Sequence, residues 1–148
     1  MSIQTTTLTG QSSNPPVENA QQVTRVLVVD DEVGMRALSC AIIKSLGFQA
    51  IAVNTGEEAI ETYRQHLQRS EPISAVIMDL ALPGGMSGLE TTDLLRQMDS
   101  SVAVIASSGY LQQNARAAAL ERGFAGILPK PYTPERLTAE LRWVITRR

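Results

Sequence analysis

Cysteine, histidine and long apolar runs are scarce in this sequence. The single cysteine, Cys40, cannot form a disulfide within the chain, and no cluster of cysteine and histidine has the spacing of a zinc site. No apolar run reaches the roughly 18 residues that a membrane-spanning helix needs. The N-terminus also lacks the basic start and the continuous apolar stretch of a secretory signal. These absences favour a reducing compartment, and we expect the cytoplasm.

A surplus of basic residues is also missing. The chain has 13 Lys and Arg residues against 15 Asp and Glu residues, which gives a formal net charge of −2. Binding to nucleic acid or to an anionic membrane depends on an excess of Lys and Arg on one surface. We therefore expect neither of them as a partner.

The composition that remains is sufficient for one folded domain. The 148 residues are 43% hydrophobic and 19% charged, which provides a single core and a soluble surface. Residues 1–22 are rich in Ser, Thr, Gln and Pro and are predicted to form a disordered leader or linker. Residues 23–148 are predicted to form the domain.

Short β-branched runs alternate with helical periodicity in this domain. Strands are predicted at residues 26–29, 48–53, 73–78, 102–106 and 126–128. The first helix is predicted from the apolar spacing of Met35, Leu38, Ile42 and Leu46. A later helix carries Leu94, Leu95 and Met98, and Thr55 and Thr133 stand where helix N-caps are expected.

This alternation predicts an α/β fold with a parallel sheet that is buried on both faces. Five strands and five helices in turn are typical of the flavodoxin-like, doubly wound fold with strand order 2-1-3-4-5. In such sheets, ligands bind at the carboxyl ends of the strands.

Polar side chains stand at these strand ends. Asp30 and Asp31 follow the first strand, Asp79 the third, Ser108 the fourth and Lys130 the fifth. Three carboxylates gathered at one edge repel one another unless a cation joins them, and hard oxygen ligands suit Mg²⁺. Lysine can pair with an incoming anion, and a serine hydroxyl can donate to it. The pattern therefore predicts a Mg²⁺ site that can carry a phosphoryl group on an aspartate.

The order and spacing of these residues resemble the receiver domain of two-component response regulators. The resemblance covers about residues 23–148, and the matching segments are Val28-Val29-Asp30-Asp31-Glu32, Val76-Ile77-Met78-Asp79-Leu80, Leu82-Pro83-Gly84-Gly85-Met86-Ser87-Gly88-Leu89-Glu90, Ser108-Gly109-Tyr110 and Lys130-Pro131. The doubled glycine and the Ser-Gly-Tyr run are most similar to receivers attached to hybrid histidine kinases.

The resemblance implies a phosphorelay role for Asp79. This residue matches the aspartate that accepts a phosphoryl group from a phosphohistidine on a histidine kinase or a histidine phosphotransfer protein. Asp31 matches a direct Mg²⁺ ligand and Asp30 a ligand that acts largely through water. Asp79 itself and the backbone carbonyl of Ala81 are expected to complete the metal site.

The resemblance also implies roles for two further side chains. Lys130 matches the lysine that contacts the phosphoryl group, and its bond to Pro131 is expected to be cis. Ser108 matches the switch hydroxyl that is drawn inward after phosphorylation. The module is then no enzyme, since it catalyses only its own phosphorylation and dephosphorylation, and it switches binding to an unknown downstream protein. Because no residues follow Arg148, we expect no attached output domain. The chain is then expected to be either a free-standing relay protein or a receiver cut from a hybrid kinase.

Two positions depart from the common pattern of the family. Ile127 occupies the place that often carries a Tyr or Phe rotamer switch, so the usual aromatic reorientation has no ring to move. Ala81 offers no polar side chain to guide a hydrolytic water, and Tyr110 can shield the site. We therefore expect a long-lived phosphoryl aspartate.

Two other functions compete with this interpretation. One is a haloacid dehalogenase-type Mg²⁺-dependent phosphatase. Enzymes of that type carry an Asp-x-Asp motif after the first strand, whereas Glu32 stands at the second Asp position here. A flavin-binding flavodoxin needs a Ser/Thr/Gly-rich loop there, and acidic side chains would repel its phosphate.

The remaining residues of note are interpreted as structural: His66 as a surface residue, Cys40 as a buried or half-buried small hydrophobe, and Tyr132 and Trp143 as packing or partner-contact residues.

Overall fold

The computed structural model describes residues 22–109 and 115–147. Within these ranges, strands and helices alternate as β1 Arg25–Val29, α1 Val33–Ser45, β2 Gln49–Val53, α2 Gly56–Gln68, β3 Ala75–Asp79, α3 Gly88–Met98, β4 Val104–Ser108, α4 Ala115–Glu121, β5 Gly126–Pro129 and α5 Pro134–Thr146. The predicted leader, apart from its last residue, and Tyr110 lie outside the described residues. No helix in the described ranges is both long enough and apolar enough to cross a membrane.

The five strands form one parallel sheet in the order β2-β1-β3-β4-β5, as predicted. β1, β3 and β4 are buried along their whole length, whereas the edge strand β2 is partly exposed. A strand with helices on both of its faces has no solvated side, which explains why the central strands are apolar without alternation.

Alternate residues of each strand pack on opposite faces of the sheet. Val28, Ile77, Ile105 and Leu128 share one hydrophobic cluster with residues of α1 and α5, and we call this side the α1/α5 face. The intervening strand residues pack with α2, α3 and α4 on the other side, the α2/α3/α4 face. Because alternation continues to the strand ends, it decides which face each polar residue at those ends occupies.

Strand β4 begins and ends two residues later than predicted. The sequence analysis ended it at residue 106, because two consecutive serines are typical turn residues. In the structure the strand includes both serines, since Ser107 pairs with Asp79 of β3 and Ser108 pairs with Pro129 of β5. Tertiary pairing with two neighbouring strands has overridden the local turn preference.

The inner face of α1 also differs in part from the prediction. Leu38 is 41% exposed, whereas Ser39 and Ile43 are fully buried. Apolar spacing alone could not choose between neighbouring positions, because a helix with apolar residues around much of its circumference has no single face that the pattern marks as inner.

Helix starts follow the predicted capping residues at two positions. The Thr55 and Thr133 side chains accept hydrogen bonds from the third helical residue of α2 and α5, at 3.1 Å in each case. By contrast, the N-cap of α1 is Glu32, which makes no side-chain cap hydrogen bond. Neither Asp30 nor Asp31 is the N-cap of α1.

An ion pair between the half-exposed Arg116 and the buried Glu140 joins α4 to α5 across the edge strand β5. Glu140 is 6% exposed, and its carboxylate accepts two hydrogen bonds from Arg116 and one, at 2.9 Å, from the Ile127 backbone N–H. The side-chain hydrogen bond to Glu140 raises the pKa of Arg116. A Cβ atom on Gly126 would lie 2.2 Å from the Glu140 carboxylate, so glycine makes room for this contact.

Gly88, at the start of α3, packs against the backbone at the end of β3. A Cβ atom added there would lie 2.3 Å from the carbonyl oxygen of Asp79, whereas one on Gly34 in α1 meets nothing within 4 Å. We expect Gly88→Ala to lower the free energy of unfolding by about 1–3 kcal/mol. The matched Gly34→Ala change should raise it by about 0.5–1 kcal/mol. Urea unfolding of both variants tests this, and an unchanged or raised stability of Gly88→Ala would contradict the packing.

Candidate functional site

Three aspartates meet at the carboxyl edge of the sheet because β1 and β3 are adjacent parallel strands. Asp30 and Asp31 follow β1, and Asp79 ends β3. Each offers a carboxylate oxygen, and these oxygens lie within 4.8 Å of one another. Asp30 and Asp79 are 4% and 3% exposed, whereas Asp31 is exposed. The predicted acidic cluster is therefore present, with one exposed carboxylate and two buried ones.

Lys130, which follows β5, reaches across the sheet edge into this cluster. Its ammonium lies 2.9 Å from Asp30 Oδ2, 3.2 Å from Asp79 Oδ2 and 3.3 Å from Glu32 Oε1. Burial by itself would lower the pKa of Lys130, but the hydrogen bond and charge of Asp30, followed by those of Asp79, outweigh it and raise the pKa above its ordinary value. The lysine therefore stays charged at neutral pH.

Backbone amides hold the two buried carboxylates in place. The Glu32 N–H donates to Asp30 Oδ1, and the Ala81 N–H donates to Asp79 Oδ1, both at 2.9 Å. The bond between Lys130 and Pro131 is cis, as predicted. Each second carboxylate oxygen, Oδ2, is thus left to face the lysine.

An open cavity of about 560 Å³ lies over this cluster. The described residues that line it are Asp31, Glu32, Asp79, Ala81, Gly109 and Lys130. Ala81 is thus at the cavity, and the role of its carbonyl as a metal ligand stays a prediction. Ser108 is 5% exposed at the end of β4, directly before Gly109 of the lining.

Glu32 is the site residue that the sequence analysis did not assign. It contacts Lys130 and lines the cavity, with 62% of its side chain exposed. The signal was present, because Glu32 directly follows the two aspartates, but a third acidic residue in a row also suits the exposed start of a helix.

The residues interpreted as structural lie as follows. Tyr132 is a buried packing residue whose hydroxyl lies 2.7 Å from Ser39 Oγ, and burial is the main cause of its raised pKa. Cys40 is half-buried as predicted, and burial raises the pKa of its thiol. His66 was wrongly interpreted as a surface residue: its side chain is 13% exposed, and its Nδ1 lies 3.1 Å from the Glu71 carbonyl oxygen.

The acidic cluster fits a divalent metal ion by its chemistry. Its donors are hard carboxylate oxygens, and two of them are buried beside a cavity with room for the waters that Mg²⁺ retains. Burying two carboxyl groups side by side is costly without compensating positive charge, and Lys130 supplies only one positive charge. A second cation at this edge would complete the balance.

A parallel flavodoxin-like sheet with an acidic, lysine-containing carboxyl edge defines the class of protein. Residues 26–142 match the family model for the response regulator receiver domain. The chain belongs to this family, whose members are signalling modules of two-component systems. The match does not support the alternative of a haloacid dehalogenase-type phosphatase.

Individual relatives agree with this assignment. The chain is 30% identical over 126 residues to the phosphate regulon transcriptional regulatory protein PhoB of Klebsiella pneumoniae, a match that covers 83% of this chain and 52% of PhoB. It is 28% identical to the sensor histidine kinase GacS of Pseudomonas protegens, over 88% of this chain and 14% of GacS. The chain thus spans about half of the first relative and a small part of the second.

A solved structure shows the same fold. One chain of the CheX–CheY–BeF3–Mg²⁺ complex from Borrelia burgdorferi superposes with a TM-score of 0.74 at 25% identity, covering 85% of this chain and 92% of that chain.

Magnesium should stabilise the folded protein through Asp31. At a Mg²⁺ concentration ten times the dissociation constant, binding to the folded state alone adds about 1.4 kcal/mol, which raises Tm by about 3–5 °C. We expect Asp31→Asn to lose most of this rise. Asp93→Asn, which changes a side chain that is 70% exposed on α3, should keep it. Thermal melts with and without MgCl₂ measure the effect, and an equal rise in all three proteins would refute the site.

Proposed function

We propose that this receiver domain accepts a phosphoryl group on Asp79 from a phosphohistidine of a histidine kinase or a histidine phosphotransfer protein. The observation that carries the proposal is the position of the Asp79 carboxylate. It is 3% exposed yet lines the cavity, with a lysine ammonium 3.2 Å from its Oδ2 and two further aspartates beside it.

Asp79 Oδ2 is the nucleophile in this proposal. The other oxygen, Oδ1, is held by the Ala81 N–H, which leaves Oδ2 toward Lys130 and the cavity. The Oδ2 lone pair forms the new bond to phosphorus, while the bond from phosphorus to the imidazole nitrogen of the donor breaks and its electron pair returns to that nitrogen. The donor ring carries a proton on its other nitrogen, so it leaves as a neutral histidine, and the product on Asp79 is an acyl phosphate.

Asp30, Asp31, Asp79 and the Ala81 carbonyl are the groups that would hold Mg²⁺. When bound, the ion supplies positive charge that offsets the negative charge of the transferring oxygens. The Borrelia burgdorferi relative, whose complex includes Mg²⁺ and BeF3, supports this assignment.

Lys130 is the mobile charge of the site. In the resting state its ammonium is shared among Asp30, Asp79 and Glu32. An incoming phosphoryl group brings new anionic oxygens to the cavity, and the lysine turns to them because it is a compact charge on a flexible stem. Ser108 then donates its hydroxyl to a phosphoryl oxygen, which couples the chemistry to β4.

The response to phosphorylation does not use an aromatic ring on β5. Ile127 is 3% exposed and packs on the α2/α3/α4 face. Its backbone N–H is instead bound to Glu140, so a shift of β5 is passed to α4 and α5 through the pair of Glu140 with Arg116. We propose that this change in packing alters binding to a downstream protein.

Incubation with acetyl phosphate and Mg²⁺ should add one phosphoryl group to the wild-type chain. Because the modification is an acyl phosphate on Asp79, hydroxylamine should remove it, and Asp79→Asn should gain no mass. Asp93→Asn is the matched control and should be modified like the wild type. Intact mass spectrometry gives the readout. Mass added to Asp79→Asn, or a modification that resists hydroxylamine, would overturn the proposal.

A further inference from the structure

One buried hydroxyl beside the site has no partner among residues 22–109 and 115–147. Ser107 is 1% exposed, and its Oγ makes no hydrogen bond within the described residues. The buried hydroxyls of Ser39 and Thr92 are paired, with Tyr132 Oη at 2.7 Å and the Gly88 carbonyl at 2.8 Å. An unpaired buried hydroxyl lowers stability, so its position suggests a use in another state of the protein.

Ser107 lies next to Asp79. The two residues are partners in the register between β3 and β4. Both follow by two positions a residue of the α1/α5 face, Ile105 in β4 and Ile77 in β3, so their side chains start on the same face. Neighbouring strands lie about 4.8 Å apart, which puts the hydroxyl within reach of the Asp79 carboxylate after a change of rotamer.

The side chain of Lys130 reaches across β4, the strand that carries Ser107. Its backbone follows β5, yet its ammonium contacts Asp79 on β3, and β4 lies between these two strands. Lys130 follows directly after β5 and stands two residues beyond Leu128, the partner of Ser107 in that strand. In the resting state the lysine occupies the Asp79 oxygen that the Ser107 hydroxyl would bind.

We propose that Ser107 donates a hydrogen bond to Asp79 Oδ2 once Lys130 has turned to the phosphoryl group. This inference rests on the proposed function. It is separate from the role of Ser108, whose side chain starts on the opposite face of β4 because it is the next residue in the strand.

The hydrogen bond assists the loss of the phosphoryl group. In hydrolysis, a water oxygen bonds to phosphorus, the bond between phosphorus and Oδ2 breaks, and its electron pair stays on Oδ2. Inorganic phosphate leaves, and the proton of the water passes to phosphate or solvent. A donor at Oδ2 stabilises the negative charge that develops there, so it shortens the lifetime of the acyl phosphate.

Ser107→Ala should lengthen the lifetime of the acyl phosphate and raise the Tm of the unphosphorylated protein. Loss of a hydroxyl with only a structural role would not produce both changes. We expect the phosphoryl group to persist about three- to tenfold longer, which corresponds to the loss of one hydrogen bond of ordinary strength. In the unphosphorylated protein, Tm should rise by about 2–6 °C, because an unsatisfied buried group has been removed. Ser107→Thr, which keeps the hydroxyl, should restore the shorter lifetime.

The measurement is loss of the phosphoryl mass after acetyl phosphate is removed, followed by intact mass spectrometry, with a thermal melt of each variant. Thr92→Val is the matched control, since it removes a buried hydroxyl that is paired within α3. It should lower Tm and leave the lifetime unchanged. Cysteine is nearly the size of serine, and its thiol is a weak donor. Ser107→Cys should therefore behave like Ser107→Ala, and it takes the place of the alanine variant if that variant does not fold.

The outcomes separate the two proposals. A wild-type lifetime in Ser107→Ala or Ser107→Cys, with Asp79-dependent modification intact, overturns only the role of Ser107. A shorter lifetime in these variants also overturns it. A wild-type chain that gains no hydroxylamine-sensitive mass refutes the phosphorelay function, and the role of Ser107 falls with it.

Discussion

The ammonium of Lys130 contacts the carboxyl groups of Asp30, Glu32 and Asp79, which the fold brings to one edge of the sheet. Parallel pairing of β1 and β3 forces two of these carboxyl groups into burial, where charge of one sign is costly without a partner. Because one lysine serves three acids, the site stays short of positive charge. That surplus of carboxyl groups suits the binding of a metal cation, as proposed for Asp30, Asp31 and Asp79.

Two features around this site lower the free energy of unfolding. The hydroxyl of Ser107 is buried with no partner in the part of the chain that the structure describes, and the helix α3 starts on a glycine that packs against the backbone of Asp79. Natural proteins keep such costly features where function depends on them. Here the close approach of α3 supports the end of β3, while the unpaired hydroxyl becomes useful only after Lys130 has moved.

The far side of the domain is linked to the site through β5. Lys130 follows this strand directly, and the Ile127 amide within it is bound to Glu140, which is held in turn by Arg116. Trp143 lies beneath two arginines, with Arg116 and Arg147 at 4.9 and 4.5 Å from its ring centroid. Lys130 is therefore joined to α4 and α5 through the backbone of β5 and the contacts of Glu140, in a protein without an aromatic residue at position 127.

Sequence alone determined the order of strands and helices, the caps at Thr55 and Thr133, and the aspartates and lysine of the site, because hydrophobic periodicity and polar residues at strand ends are local signals. It could not determine that Ser107 lies inside β4 or that Glu140 reaches the Ile127 amide, since both depend on partners far along the chain. It also could not choose between Leu38 and Ile43 as the inner residue of α1, which packing against the sheet decided. Local patterns select the elements, whereas pairing and burial decide which side chain meets which.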